Sequence, residues 1–211
     1  MPGSGGEVAE GMEQGRVATG DRGGRPAITS AHELAAVAQR LFVAHGFDET
    51  SVEDIATAAG ISRRTFFRYF SAKADVCFAD SPTELVRLQQ ALSAADPHES
   101  YRLVIVRAVV AALRFPPGER EWAWQRAQLV LEVPVLQAHA TRIYAQWRKA
   151  AAEFARGRRP DDDVFPVVVG HAVLAGTLAA HEYWITHPAS GLDDALVRML
   201  DLLLPPEPPA P

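Results

Sequence analysis

A chain of 211 residues, 48% hydrophobic and 22% charged, is long enough to bury one or two compact cores. Its formal charge of −5 excludes a general polyanion binder, so nucleic-acid binding would need positive charge concentrated locally. A single cysteine, Cys77, excludes an intramolecular disulfide framework and fits a reducing cytosol.

Residues 1–29 are glycine-rich with almost no apolar periodicity, and read as a disordered arm. Arg16, Arg22 and Arg25 could touch a phosphate backbone or minor groove, but Glu7, Glu10, Glu13 and Asp21 outnumber them. No apolar segment here resembles a signal peptide. Ser30 or Thr29 caps the first helix, with Glu33 in its first turn. Leu34, Val37, Ala38, Leu41, Phe42 and His45 follow helical spacing up to Gly46. His45 reads as a residue facing free carbonyls at the helix end rather than a ligand.

The stretch TSVEDIATAAGISRRTFFRYF, Thr50 to Phe70, is the one around which the chain is organised. Thr50 and Glu53 have capping-box spacing, and Val52, Ile55, Ala56 and Ala59 share one face of a short helix. Gly60 supplies the left-handed turn, and Ser62 caps a second helix. That helix carries Arg63, Arg64 and Arg68, with Lys73 just beyond and no acidic residue from Ser62 to Ala74. This is a helix-turn-helix pattern whose second helix suits a major groove. Phe66 and Phe70, four apart, should face the core, which turns Arg63, Arg64, Phe67 and Arg68 outward. Arginine can hold guanine O6 and N7 with two hydrogen bonds, and Thr65 can meet a thymine methyl or a phosphate.

Ser71 is expected to cap a helix over Ala72–Ala79, and Ser81 and Pro82 to restart it up to about Ala94. Cys77 reads as a small apolar helix residue, with a redox sensor as the alternative. Five further helices are expected: Glu99–Phe115, Glu119–Glu132, Pro134–Arg156, Val164–His187 and Gly191–Leu204. The fold class is therefore all-α, with about nine helices and a Pro-rich disordered tail over 205–211. Val164–His187 is apolar nearly all round, which a surface helix cannot be. Pro166, Gly170, His171 and Gly176 interrupt it, so a buried bundle helix fits better than a membrane span. Its small residues Ala172, Gly176 and Ala180, four apart, would let another backbone come close.

Residues Ala31 to Ala79 resemble the DNA-binding domain of the TetR family of transcriptional regulators. Ala38, Leu41, Phe42, Gly46, Phe47, Thr50, Ile55, Ala56, Ala59, Gly60, Thr65, Phe66, Phe67, Tyr69, Phe70 and Lys73 carry the resemblance, in order and spacing, over about 45 positions. The resemblance implies a helix-turn-helix domain over 30–79 and a helical effector-binding and dimerisation domain over 80–204. It implies that Phe47 anchors a loop into the core and that Tyr69 and Lys73 hold phosphate, with Thr50 and Ser51 also among the DNA-contacting residues. It implies a cytoplasmic repressor, homodimeric through 164–187 and 191–204, that binds a palindromic double-stranded DNA operator and is released by a small molecule. The alternative is a ligand-independent or architectural DNA-binding protein. Arg64 departs from the family, where that position is often small or proline-like, so the operator cannot be borrowed from a relative.

The second half holds Trp122, Trp124, Trp147 and Trp184, together with Tyr144, His171 and His181. Aromatic walls with few polar groups suit a ligand pocket, for which Trp122, Tyr144, Trp147, His171 and Trp184 are the candidates. Few charges are at hand, so the expected ligand is largely apolar, aromatic or acyl. There is no G-x-S-x-G, Walker loop or paired-cysteine metal site, so no enzyme activity, cofactor, metal or membrane partner is expected.

Overall fold

The computed structural model describes residues 30–207. The arm over 1–29 and the tail residues 208–211 lie outside the described residues. Within them are nine α-helices, one 3₁₀ helix and no strand. The helices are α1 (Ala31–His45), α2 (Val52–Ala59), α3 (Arg63–Tyr69), α4 (Ser81–Ser93), α5 (Tyr101–Leu113), α6 (Arg120–Glu132), α7 (Pro134–Arg158), α8 (Val164–Thr186) and α9 (Leu192–Leu203). The 3₁₀ turn Lys73–Phe78 stands between α3 and α4.

Local chemistry sets these boundaries, in places differently from the spacing alone. Ser30 caps α1, and Glu33 closes the reciprocal box. In α2 the box is Ser51 with Asp54, not Thr50 with Glu53: Ser51 Oγ accepts from the Asp54 amide at 3.1 Å, and the Asp54 carboxylate accepts from the Ser51 amide at 2.8 Å. Both pairs have the right spacing. Thr50 is withdrawn because its buried hydroxyl donates to the Gly46 carbonyl at 2.8 Å. Gly60 ends α2 at φ 68°, the left-handed turn that glycine adopts without Cβ strain. After α3, Ser71 is not a cap; the Asp75 carboxylate accepts from the Ala72 amide at 2.8 Å, and the segment tightens into the 3₁₀ turn. Ser81 is the first residue of α4 rather than its cap.

Two apolar clusters result. Leu34, Phe42, Ile55, Phe66 and Phe70 centre the first. Leu136 of α7 is buried in it, with Leu129 and Val130 of α6 packed against it, so the α6–α7 corner plugs into the N-terminal domain. The second joins α4, α5, α7, α8 and α9 around Leu88, Ile105, Val173, Trp184 and Leu196.

Helix α8 alone among the described residues is long and apolar enough to cross a membrane, and it packs as a core helix between α7 and α9. Its small residues serve that packing. A Cβ on Gly176 would sit 2.8 Å from Leu200 Cδ2 of α9, and Ala172 and Ala180 are buried. At Gly176 the close approach expected of a second subunit is made by Leu200 of α9 in its own chain. The face left open is a different one, with Val164, Val167 and Val168 on α8 and Val197, Leu202 and Leu203 on α9.

The expected free tail is held at Pro205 and Glu207. The Arg102 guanidinium donates to the carbonyls of Asp201, Leu204 and Pro205, Tyr101 donates to Pro205, and Ser100 donates to Glu207.

Candidate DNA interface and internal cavity

Helix α3 is seven residues long, and one core contact sets its rotation. Phe66 is fully buried, with Phe67 edge-on at 5.4 Å and Phe70 tilted at 5.8 Å. Ser62 Oγ accepts from the Thr65 amide at 3.1 Å, and the two hydroxyls lie 2.9 Å apart. Arg63, Arg64, Phe67 and Arg68 consequently face solvent, with Thr65 and Tyr69 half-buried beside them. The expected outward set is therefore together on one surface.

The arginines are not equivalent. Arg63 bonds Glu53 of α2 at 2.9 Å and lies over the Phe67 ring at 5.4 Å. The absence of acids within the helix had concealed this partner, which comes from the preceding helix. Arg68 lies over the Tyr69 ring at 5.3 Å. Arg64 has no ion-pair partner among the described residues.

Two residues expected at the DNA are engaged inside the protein. Thr50 is 2% exposed, so its side chain has no access to a groove. Lys73 is not a free surface cation. Its Nζ donates to the carbonyls of Phe47 at 2.6 Å and Thr50 at 2.9 Å, above the Phe47 ring at 4.2 Å. With two of its three N–H groups engaged, Lys73 staples the α1–α2 loop to the 3₁₀ turn. Ser51 is exposed as the α2 cap.

A cavity of about 100 Å³ lies between the 3₁₀ turn, α4, α6, α7 and α8. Tyr144 and Trp147 line it as expected, with Leu113, Val130, Ile143, Leu174 and Leu178. The other three candidates do not. Trp184 is fully buried behind Phe115, stacked at 5.9 Å. His171 is exposed, 3.5 Å from Arg148. Trp122 lines a separate cleft, 4.8 Å from the His32 ring. Helical periodicity gives the face of a residue but not which neighbouring helix covers it.

The cavity wall also holds Cys77 and His181, together with Glu84, Arg126 and Thr177, which composition alone did not single out. Burial, only partly opposed by Arg126, pushes the Cys77 thiol up to about 12. It therefore stays a thiol at neutral pH, which argues against the redox-sensor alternative. Charges in the wall are few: Glu84 and Arg126, whose guanidinium meets Glu84 at 2.8 Å and Asp80 at 3.7 Å over the Trp122 ring at 5.1 Å.

The same charges join the two halves. His32 of α1 lies 3.4 Å from both Asp80 and Glu119. Gln39 of α1, 1% exposed, donates to the Trp122 carbonyl at 2.7 Å. A buried amide held this way costs free energy if its partner moves.

Comparison with known proteins agrees with both halves. Residues 34–79 match the family described as bacterial regulatory proteins, tetR family, and residues 99–208 match the MftR C-terminal domain. The mycofactocin biosynthesis transcriptional regulator MftR of Mycobacterium tuberculosis is similar, at 36% identity over 86% of this chain and 93% of its own length. TcmR of Streptomyces glaucescens, an HTH-type transcriptional regulator, is 28% identical over 82% of each chain. Among solved structures, Thermus thermophilus FadR in complex with lauroyl-CoA shares the fold with a TM-score of 0.55 and 24% identity, over 86% of this chain and 99% of its own. The SmeT–triclosan complex does so with a TM-score of 0.60 and 17% identity, over 87% and 100%. The exposed basic helix, the helical second half and these likenesses together show that the chain belongs to the TetR family of transcriptional regulators.

Proposed function

We propose that this regulator binds a two-fold DNA operator as a homodimer and represses transcription until a small, largely apolar ligand enters the cavity. The observation that carries this reading is shared lining. Cys77 and Phe78 of the 3₁₀ turn form part of the cavity wall, and that turn begins shortly after α3 ends. A ligand in the cavity therefore touches the segment that follows the recognition helix in the chain and packs against α1.

Arg64 and Arg68 are assigned to base edges, Arg63 to a base or phosphate after leaving Glu53, and Thr65 and Tyr69 to the backbone. Two copies are needed to address two half-sites about one helical turn apart. The open apolar face of α8 and α9 supplies the dimer contact. The ligand releases DNA only insofar as it binds the released conformation more tightly.

The test is operator binding by the full chain across a panel of apolar small molecules. Release by a molecule that also binds free protein supports the reading. Binding at a discrete operator that no ligand of the panel weakens contradicts the effector role of the cavity. Uniform coating of DNA would favour the architectural alternative.

A further inference from the structure

The cavity has a polar end, and its donors and acceptors are unevenly matched. His181 Nδ1 lies 2.8 Å from the Thr177 carbonyl of its own helix. A carbonyl oxygen only accepts, so Nδ1 carries the ring proton in this contact. Nε2 of the neutral ring is then a bare acceptor, and no protein group among the described residues bonds to it. One turn away, Thr177 Oγ1 is buried without a hydrogen-bond partner. Residues four apart share a helix face, and both line the cavity. The polar end therefore lacks one donor, for His181, and one partner for the Thr177 hydroxyl.

Charge narrows the choice. Among the described residues Arg126 is the only arginine or lysine lining the cavity, and two carboxylates already meet it, Glu84 at 2.8 Å and Asp80 at 3.7 Å. A ligand carboxylate would place a third anion at one guanidinium, and it has no proton for Nε2. An ammonium could donate, but loses its hydration against the apolar walls. A neutral hydroxyl can donate to Nε2 and use its oxygen for Thr177. Size narrows it further: a water needs about 10–15 Å³, so about 100 Å³ takes several waters, or one ring with a short substituent.

We infer that the cavity selects a small neutral apolar molecule bearing a hydroxyl group, of the alkylphenol type, whose O–H donates to His181 Nε2. This rests on the reading of the cavity as the effector site and adds the group by which that site recognises its ligand.

Calorimetric titration of the full chain with 4-ethylphenol, 4-ethylanisole, 4-ethylbenzoate and 4-ethylbenzylamine tests it. The phenol should bind at least about tenfold more tightly than the other three, the difference expected when a bound ligand strips water from Nε2 without supplying a donor. His181→Phe, checked for unchanged helicity by circular dichroism, should still bind the phenol and the anisole but bring them within about twofold. Equal binding of phenol and anisole by the wild type would overturn the hydroxyl assignment while leaving an apolar effector cavity. Tighter binding of the benzoate or the amine overturns it too, in favour of a charged ligand. Failure of all four probes to bind removes both the assignment and the cavity as an effector site.

Discussion

His139 of α7 stacks on Phe78, ring centroids 5.1 Å apart and planes 26° apart, while its Nε2 reaches Asp75 at 2.9 Å. The C-terminal half thereby grips the 3₁₀ turn twice, once through its last ring and once through the carboxylate that accepts from the Ala72 amide at its start. Phe78 also lines the cavity. His139→Ala should leave ligand binding to free protein nearly intact and reduce the ligand's effect on operator affinity, a coupling typically about 1–3 kcal/mol. Paired titrations, ligand with and without operator, measure that loss.

Arg64→Ala and Arg68→Ala should each cost about 1–3 kcal/mol of specific binding and relax sequence preference at one position of each half-site. Arg63→Ala should cost less, because the free protein then no longer breaks the 2.9 Å bond to Glu53 on binding. Competition binding against single-base operator variants separates the three.

Lys73→Ala distinguishes a staple from a phosphate contact. A lost phosphate contact would shallow the salt dependence of operator binding by about one unit. Loss of two charge-assisted bonds to the Phe47 and Thr50 carbonyls should instead lower the melting temperature and weaken every DNA sequence alike, with the salt slope unchanged.

Gly176 faces α9 of its own chain, and Val168 lies on the open face proposed for a second copy. Gly176→Ala would bring a Cβ within 2.8 Å of Leu200 Cδ2, and should lower stability by about 1–3 kcal/mol. Val168→Arg, on the open face at 43% exposure, should keep the fold and yield monomer by light scattering. A dimeric Val168→Arg protein would move the interface elsewhere.

Burial, the largest influence, holds His181 below its ordinary 6.5. The unfolded chain then binds the proton more readily than the folded one, so stability rises with pH and is lost as pH falls below about 6.5. Denaturant titrations at pH 7 and pH 5.5 should show a smaller drop for His181→Phe than for the wild type.

The motif was legible because its chemistry is local. Gly60 at a left-handed turn, Ser62 as a cap and Phe66 against the core are each specified by residues within one or two turns. The nine α-helices of the described residues were visible for the same reason, through caps, prolines and apolar spacing. The internal partners of Thr50 and Lys73, Gly46 and the Phe47 and Thr50 carbonyls, were not legible because they are fixed by how α1 and the 3₁₀ turn meet. The cavity was half legible. Composition named Tyr144, Trp147 and His181, which line the cavity, whereas Arg126 and Thr177 required knowing which faces of α6 and α8 converge. Gly176 shows the limit most plainly: a small residue announces a close approach but not whose backbone or side chain approaches.

Selection of bound DNA from a random pool by the full chain tests the central claim, that α3 reads sequence in a two-fold assembly. Two inverted half-sites about one helical turn apart should be enriched, and Arg64→Ala should blur one position in each. No enriched sequence, or an unsymmetrical one that Arg64→Ala leaves unchanged, would contradict the account.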